Sequence, residues 1–169
     1  MIRDGAQPEL QENGIQDNEK EGVLVLSSAP AIRRNRIAHN RGTGITVSRS
    51  QALIGENNIT DNTPFDLAGD MTGEPVTAVN NWWGSTAGLE ILRKIRGRVN
   101  IQSVLNAPYP EGKTQELPIL SGALGGPLKT DAFLVLSHSP YRVTRDLVIN
   151  GGATLTIEPG VTLQYDQNT

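Results

Sequence analysis

The chain has 169 residues, a formal net charge of −3, no cysteine and only 4% aromatic residues. The charge balance speaks against a general nucleic-acid or anionic-membrane binder, and the missing cysteines exclude disulfide frameworks, thiol catalysis and Cys-ligated metal sites. No apolar run approaches the roughly 20 residues of a membrane-spanning helix, and the opening MIRDGAQPEL lacks the apolar stretch of a secretion signal. With 18 Gly, 10 Pro and 13 Asn, about a quarter of the chain favours turns. Such a composition suits many short strands joined by tight corners, or else disorder, and periodicity decides between them.

The period is clear. LQENGIQDN (Leu10 to Asn18), IRRNRIAHN (Ile32 to Asn40) and IGENNITDN (Ile54 to Asn62) align without gaps at an even step of about 22 residues. TAVNNWWGS (Thr77 to Ser85) follows as a fourth copy, one position later than that step requires. Within the unit, apolar residues alternate at spacing two, as in Val23 and Val25 or Ile45 and Val47, which is the strand period. Each unit is too short to bury an apolar face alone, so the copies are expected to stack at roughly 4.8 Å per coil. The predicted inward columns are Leu10, Ile32, Ile54 and Thr77; Ile15, Ile37, Ile59 and Trp82; and Val23, Ile45 and Leu67. Asn13, Asn35, Asn57 and Asn80 form one polar column and Asn18, Asn40 and Asn62 another. Asn tolerates the left-handed conformation of a corner, and its amide can bond to the Asn above it.

These N-x-I-x-x-N units and the N-x-W-G ending, which includes Trp82, Trp83 and Gly84, resemble the parallel β-helix proteins of the pectate-lyase-like superfamily. The resemblance implies an all-β fold over residues 1–84, a right-handed single-stranded parallel β-helix with coils of about 22 residues.

Residues 85–106 are expected to close the stack. Ser85 or Thr86 can cap a short helix with Leu89, Leu92 and Ile95 on one face and Gly97 after it, followed by a strand from Val99 to Leu105. Trp82 and Trp83 are expected to pack under this cap. Residues 107–131, rich in Pro and Gly, read as a linker. Alternation restarts over 132–169, where SPYRVTRDLVINGGATLTIEPGVTL resembles the opening coil of a further β-helix. The order of these parts is similar to the tandem β-helix regions of bark beetle or anakonda-like junction proteins and of bacterial surface proteins. That resemblance implies an extracellular or cell-surface location and flanking β-helix coils as partners.

Several charged groups are candidates for chemistry. Glu12, Arg34 and Glu56 share a column, as do Asp17, His39 and Asp61. Both read as cross-strand charge ladders, while the second could also serve acid–base catalysis or zinc binding. Arg33, Arg36 and Arg49, with Arg34 and Arg41, lie in a stretch without acids and form either a solvated face or a sugar-acid site. Asp66, Asp70 and Glu74 form an acidic loop that Ca²⁺ could use as its only implied cofactor, although the spacing matches no EF-hand. His138 is given no role, and GALGG lacks the strand-to-helix context of a phosphate loop. The expected function is a non-enzymatic segment of a large extracellular or cell-surface protein, a rigid scaffold or adhesion surface that contacts a glycan or another cell-surface protein. The alternative is a carbohydrate-active β-helix, a polysaccharide lyase or glycoside hydrolase, with most of its catalytic coils elsewhere.

Overall fold

Aliphatic pairs interrupted every few residues by Asn or Gly can form only brief strands. In the computed structural model, which describes residues 1–166, such strands stack as coils. In the first unit, Met1–Leu117, the first coil holds β1 (Glu9–Gln11), β2 (Gly14–Gln16) and β3 (Val23–Leu26). The second holds β4 (Ala31–Arg33), β5 (Arg36–Ala38) and β6 (Ile45–Ser48), and the third β7 (Leu53–Gly55), β8 (Asn58–Thr60) and β9 (Leu67–Ala68). The chain continues through β10 (Val76–Thr77), α1 (Gly88–Arg93), β11 (Ile95–Arg96), β12 (Val99–Asn100), β13 (Ser103–Leu105) and β14 (Thr114–Glu116). Equivalent strands pair in parallel one coil apart, in the orders β1-β4-β7-β10-β12, β2-β5-β8 and β3-β6-β9-β11, while β13 and β14 form an antiparallel hairpin.

The register of the first three coils is the one the repeat predicts. Ile32 pairs with Leu10 and Ile54, Ile37 with Ile15 and Ile59, and Ile45 with Val23 and Leu67. Ile32, Ile37, Ile45 and Ile59 are completely buried, each contributing roughly 1.5–3 kcal/mol relative to exposure.

The fourth coil departs from expectation. Thr77 pairs with Leu53, and Trp82 bridges to Asn58. Thr77 is therefore not above Ile54, nor Trp82 above Ile59. Alternation turns the next residues inward instead, and Ala78 and Trp83 are 0% and 4% exposed. The cause is loop length, because the segment from Asn62 to Thr77 is longer than its counterpart from Asn40 to Leu53.

The closing helix is also shorter than expected. It buries Ile91 and Leu92, leaves Leu89 exposed, and has no side-chain cap on Ala87. Ile95, expected on the helix face, is instead in β11, where pairing with Leu67 draws it into the sheet.

Residues 107–131, expected as a linker, carry β14 and the whole of the strand after it. The second unit, from Pro118 onward, contains β15 (Ala123–Leu128), β16 (Ala132–Leu134), a 3₁₀ turn over Leu136–His138, β17 (Tyr141–Ile149), β18 (Leu155–Ile157) and β19 (Leu163–Tyr165). β15-β17-β19 and β16-β18 are parallel, around a core of Leu124, Leu134, Tyr141 and Val143. The SPY motif is built into this coil. The Tyr141 hydroxyl accepts from Val135 N–H at 2.9 Å and donates to the Val135 carbonyl at 3.2 Å, and Ser139 Oγ accepts the Thr162 N–H at 2.9 Å. His138 Nδ1 lies 3.2 Å from the Leu120 carbonyl.

Candidate functional site

Polar residues hold the corners of the first unit. Glu12, Arg34, Glu56 and Asn80 have φ of 57–59°, and Asp17, His39 and Asp61 of 56–59°. Each therefore holds a left-handed turn that costs a non-glycine residue free energy, and an Asn follows directly to satisfy the corner. Asn35 donates its N–H and Nδ2 to Asn57 Oδ1 at 2.9 and 3.0 Å, and its Nδ2 also reaches the carbonyls of Arg33 and Leu10. Asn40 bonds to Asn62 in the same way, at 3.1 and 2.8 Å. Asn13 and Asn18 begin the two ladders. Carbonyls that the turns would leave orphaned are thus paired inside the stack.

Both ladders end differently from the sequence reading. Asn57 donates to Asn81, not Asn80, at 3.0 and 2.9 Å. Asn80 instead occupies the left-handed position, a consequence of the longer step into the fourth coil. The second ladder ends on Asp66, whose Oδ1 accepts the Asn62 N–H at 3.0 Å and Nδ2 at 2.9 Å. Asp66 is 1% exposed, so it is unavailable as a surface calcium ligand. Burial pushes its carboxyl above the usual carboxylate range, with Asp61 adding to the shift, while the two Asn62 bonds and Lys94 act against it.

The remaining acids of the proposed calcium loop part company. Asp70 accepts the Ser48 hydroxyl at 3.0 Å and the Arg49 N–H at 2.6 Å, and Glu74 is exposed. Among the described residues, no three His, Asp or Glu side chains gather as a metal site. Asp17, His39 and Asp61 do stack as a column, but all are exposed, and no hydrogen bond or ion pair joins them among the described residues.

The arginines are not gathered at one place. Arg34 Nε donates to Glu56 Oε2 at 2.8 Å and stacks 6.0 Å from the Tyr109 ring, and Arg41 pairs with Glu19 at 2.7 Å. Arg36 donates to Gln16 on the outward side of β5. Arg33 borders a dip of about 240 Å³ above Gly55, with Leu53, Glu56 and Val79. Arg49 lines an open groove of about 580 Å³ at the third corner, together with Ser28, Ser50, Asp70 and Glu74. The structure thus joins Arg49 to two acids the sequence assigned to another site, and separates it from Arg33 and Arg36.

Two roles escaped the sequence reading. Asp66 follows Gly22 and Gly44 at the equivalent position of the next repeat, so an acid replacing a glycine was the signal for a special position. Asn58 clasps the backbone of Tyr109, its Oδ1 accepting the N–H at 2.7 Å and its Nδ2 donating to the carbonyl at 3.0 Å. No periodic signal could disclose this pairing between two segments so far apart in the chain.

A family model described as a right-handed beta helix region matches residues 1–89. No curated protein and no solved structure matches the chain. Since the matched region spans more than half of the chain and coincides with the ladder-bound coils, the protein belongs to the right-handed β-helix family.

Proposed function

We propose that this chain is a non-enzymatic β-helix segment of a large extracellular or cell-surface protein. It serves as a rigid scaffold whose faces contact a glycan or a neighbouring protein. The observation that carries this reading is the use made of Asp66, the most buried acid of the candidate sites, which terminates an asparagine ladder. Several of the other candidate groups likewise serve the stack. Asp17, His39 and Asp61 hold left-handed corners, Asp70 ties Ser48 and Arg49, and Arg34 and Arg41 bridge adjacent coils. The surface location rests on the resemblance of the SPY to GVTL segment to opening coils of extracellular repeat proteins.

The test is incubation with polygalacturonate and alginate, with and without Ca²⁺, followed by assay of unsaturated and reducing ends. The scaffold reading expects no release. Release that disappears in Asp17→Ala, His39→Ala or Asp61→Ala would establish the carbohydrate-active alternative instead.

A further inference from the structure

We propose that Asn150 is a self-modifying site. The Gly151 nitrogen attacks its side-chain amide, and the turn between β17 and β18 converts to aspartate and isoaspartate.

The chain contains Asn-Gly twice, at Asn13-Gly14 and at Asn150-Gly151, and the fold treats the two pairs differently. Asn150, Gly151 and Gly152 are all exposed. The Asn150 N–H donates to the Leu128 carbonyl at 2.9 Å and its carbonyl accepts the Ala153 N–H at 3.2 Å, so the main chain of the turn is fixed on both sides. Among the described residues, no hydrogen bond holds the Asn150 side-chain amide and none holds the Gly151 N–H. Gly151 and Gly152 have φ of 66° and 80°, and a Cβ on either would meet nothing within 4 Å. Glycine adopts that conformation without strain, and its missing side chain leaves the nitrogen open to the neighbouring amide and to solvent base. Nucleophile and electrophile are adjacent in the chain, which makes the attack intramolecular.

In the step, a bond forms between Gly151 N and Asn150 Cγ while the bond from Cγ to Nδ2 breaks. Nδ2 leaves as ammonia with the proton that Gly151 N gives up, and a five-membered imide remains. Water then opens the ring at either carbonyl. Opening at Cγ restores the main chain with an aspartate. Opening at the other carbonyl routes the main chain through Cγ as isoaspartate and turns the carbonyl that accepts the Ala153 N–H into a free carboxylate. Either product adds one negative charge beside Val148 and Ile149, which are 46% and 49% exposed. Because Gly151 N must lose its proton to attack, conversion rises with pH.

Asn13 has the same neighbour but not the same freedom. Its Nδ2 donates to the Gln11 carbonyl at 2.8 Å and to Asn35 Oδ1 at 3.1 Å. The leaving amide is thus held in the ladder, away from the geometry that attack by Gly14 requires.

The experiment incubates the full chain in mildly alkaline buffer made with heavy-oxygen water. The two Asn-Gly peptides are then weighed after digestion, and isoaspartate is scored with an isoaspartyl methyltransferase. In the folded chain Asn150 is expected to convert many-fold faster than Asn13, and faster still as pH rises. In urea, where the ladder is gone, the two rates should converge through acceleration at Asn13. An Asn150 that keeps its amide, or that reacts no faster than Asn13 in the folded chain, would overturn the proposal, as would two rates that differ in urea as much as in buffer.

Discussion

Asn57 Nδ2 lies 2.9 Å from Asn81 Oδ1, which carries into the fourth coil the ladder that begins at Asn13 and passes through Asn35. Asn81 has no solvent exposure, and its own Nδ2 donates to the carbonyls of Ile54 and Val79. Truncating it leaves the buried Asn57 N–H without its acceptor, removes one of the Asn57 Nδ2 bonds, and takes the amide donor from the Ile54 and Val79 carbonyls. Asn81→Ala is therefore expected to cost about 2–4 kcal/mol in urea unfolding. The neighbouring Asn80 holds a left-handed corner at φ 57°, which glycine adopts freely. Asn80→Gly should change stability by less than about 0.5 kcal/mol. Equal effects at the two sites would place the ladder on the wrong residue.

Gly44 has a different constraint from Gly14. A Cβ at Gly44 would meet the Asp66 carbonyl at 2.6 Å and Asn62 Nδ2 at 2.7 Å, while at Gly14 it would meet nothing within 4 Å. Gly44→Ala is expected to destabilise by about 1–3 kcal/mol through displacement of the ladder. Gly14→Ala should be neutral or slightly stabilising, because it restricts the unfolded chain. Denaturant midpoints at matched slopes distinguish the two.

His39 is exposed and holds a corner at φ 56°. Asparagine suits that conformation better than histidine does. His39→Asn is expected to leave stability unchanged or raise it by about 0.5 kcal/mol. A loss beyond about 1 kcal/mol would show that the imidazole makes an interaction the column does not contain.

In the second unit, Glu158 Oε2 accepts the Leu136 N–H at 2.7 Å. Burial raises its carboxyl above the usual glutamate range, against the opposing pull of that bond. A raised folded value means that protonation favours the folded form. Its contribution to stability is complete below the ordinary glutamate range and falls away as pH increases through the raised value. Glu158→Gln keeps an acceptor for Leu136 without the charge. The variant should be the more stable at neutral pH, with the difference shrinking on acidification, as followed by thermal unfolding at a series of pH values.

The first three coils are legible because Ile32, Asn35, Ile37 and Asn40 each have a counterpart one repeat away on both sides. Backbone stacking leaves no freedom when apolar, corner and ladder positions all agree. The fourth coil misleads because two adjacent asparagines, Asn80 and Asn81, offer two alignments. Only the demand that Ala78 and Trp83 face inward selects between them, and that demand depends on loop length. Linear sequence also grouped Asp66, Asp70 and Glu74, although the loop turns their side chains to a ladder, a hydroxyl corner and solvent. The Tyr141 clasp on Val135 was hidden because it spans a 3₁₀ turn, which has no apolar period of its own.

A separate expectation concerns the ion pairs. Arg34 and Glu56 side chains are 42% and 43% exposed, so solvent screens their attraction. Glu56→Gln should cost less than about 1 kcal/mol, and the loss should vanish at high salt. A larger, salt-insensitive loss would mean that the pair, and not the ladder, holds these coils in register.

The account rests on buried side-chain amides binding the coils into one stack. Hydrogen exchange of the Nδ2 protons tests this directly, with Asn35, Asn40, Asn57, Asn62 and Asn81 inside the ladders and Asn80 at a corner outside them. The ladder amides are expected to exchange many-fold more slowly than that of Asn80, together with the main-chain N–H groups of Ile37 and Ile59. Ladder amides that exchange as fast as Asn80 would contradict it.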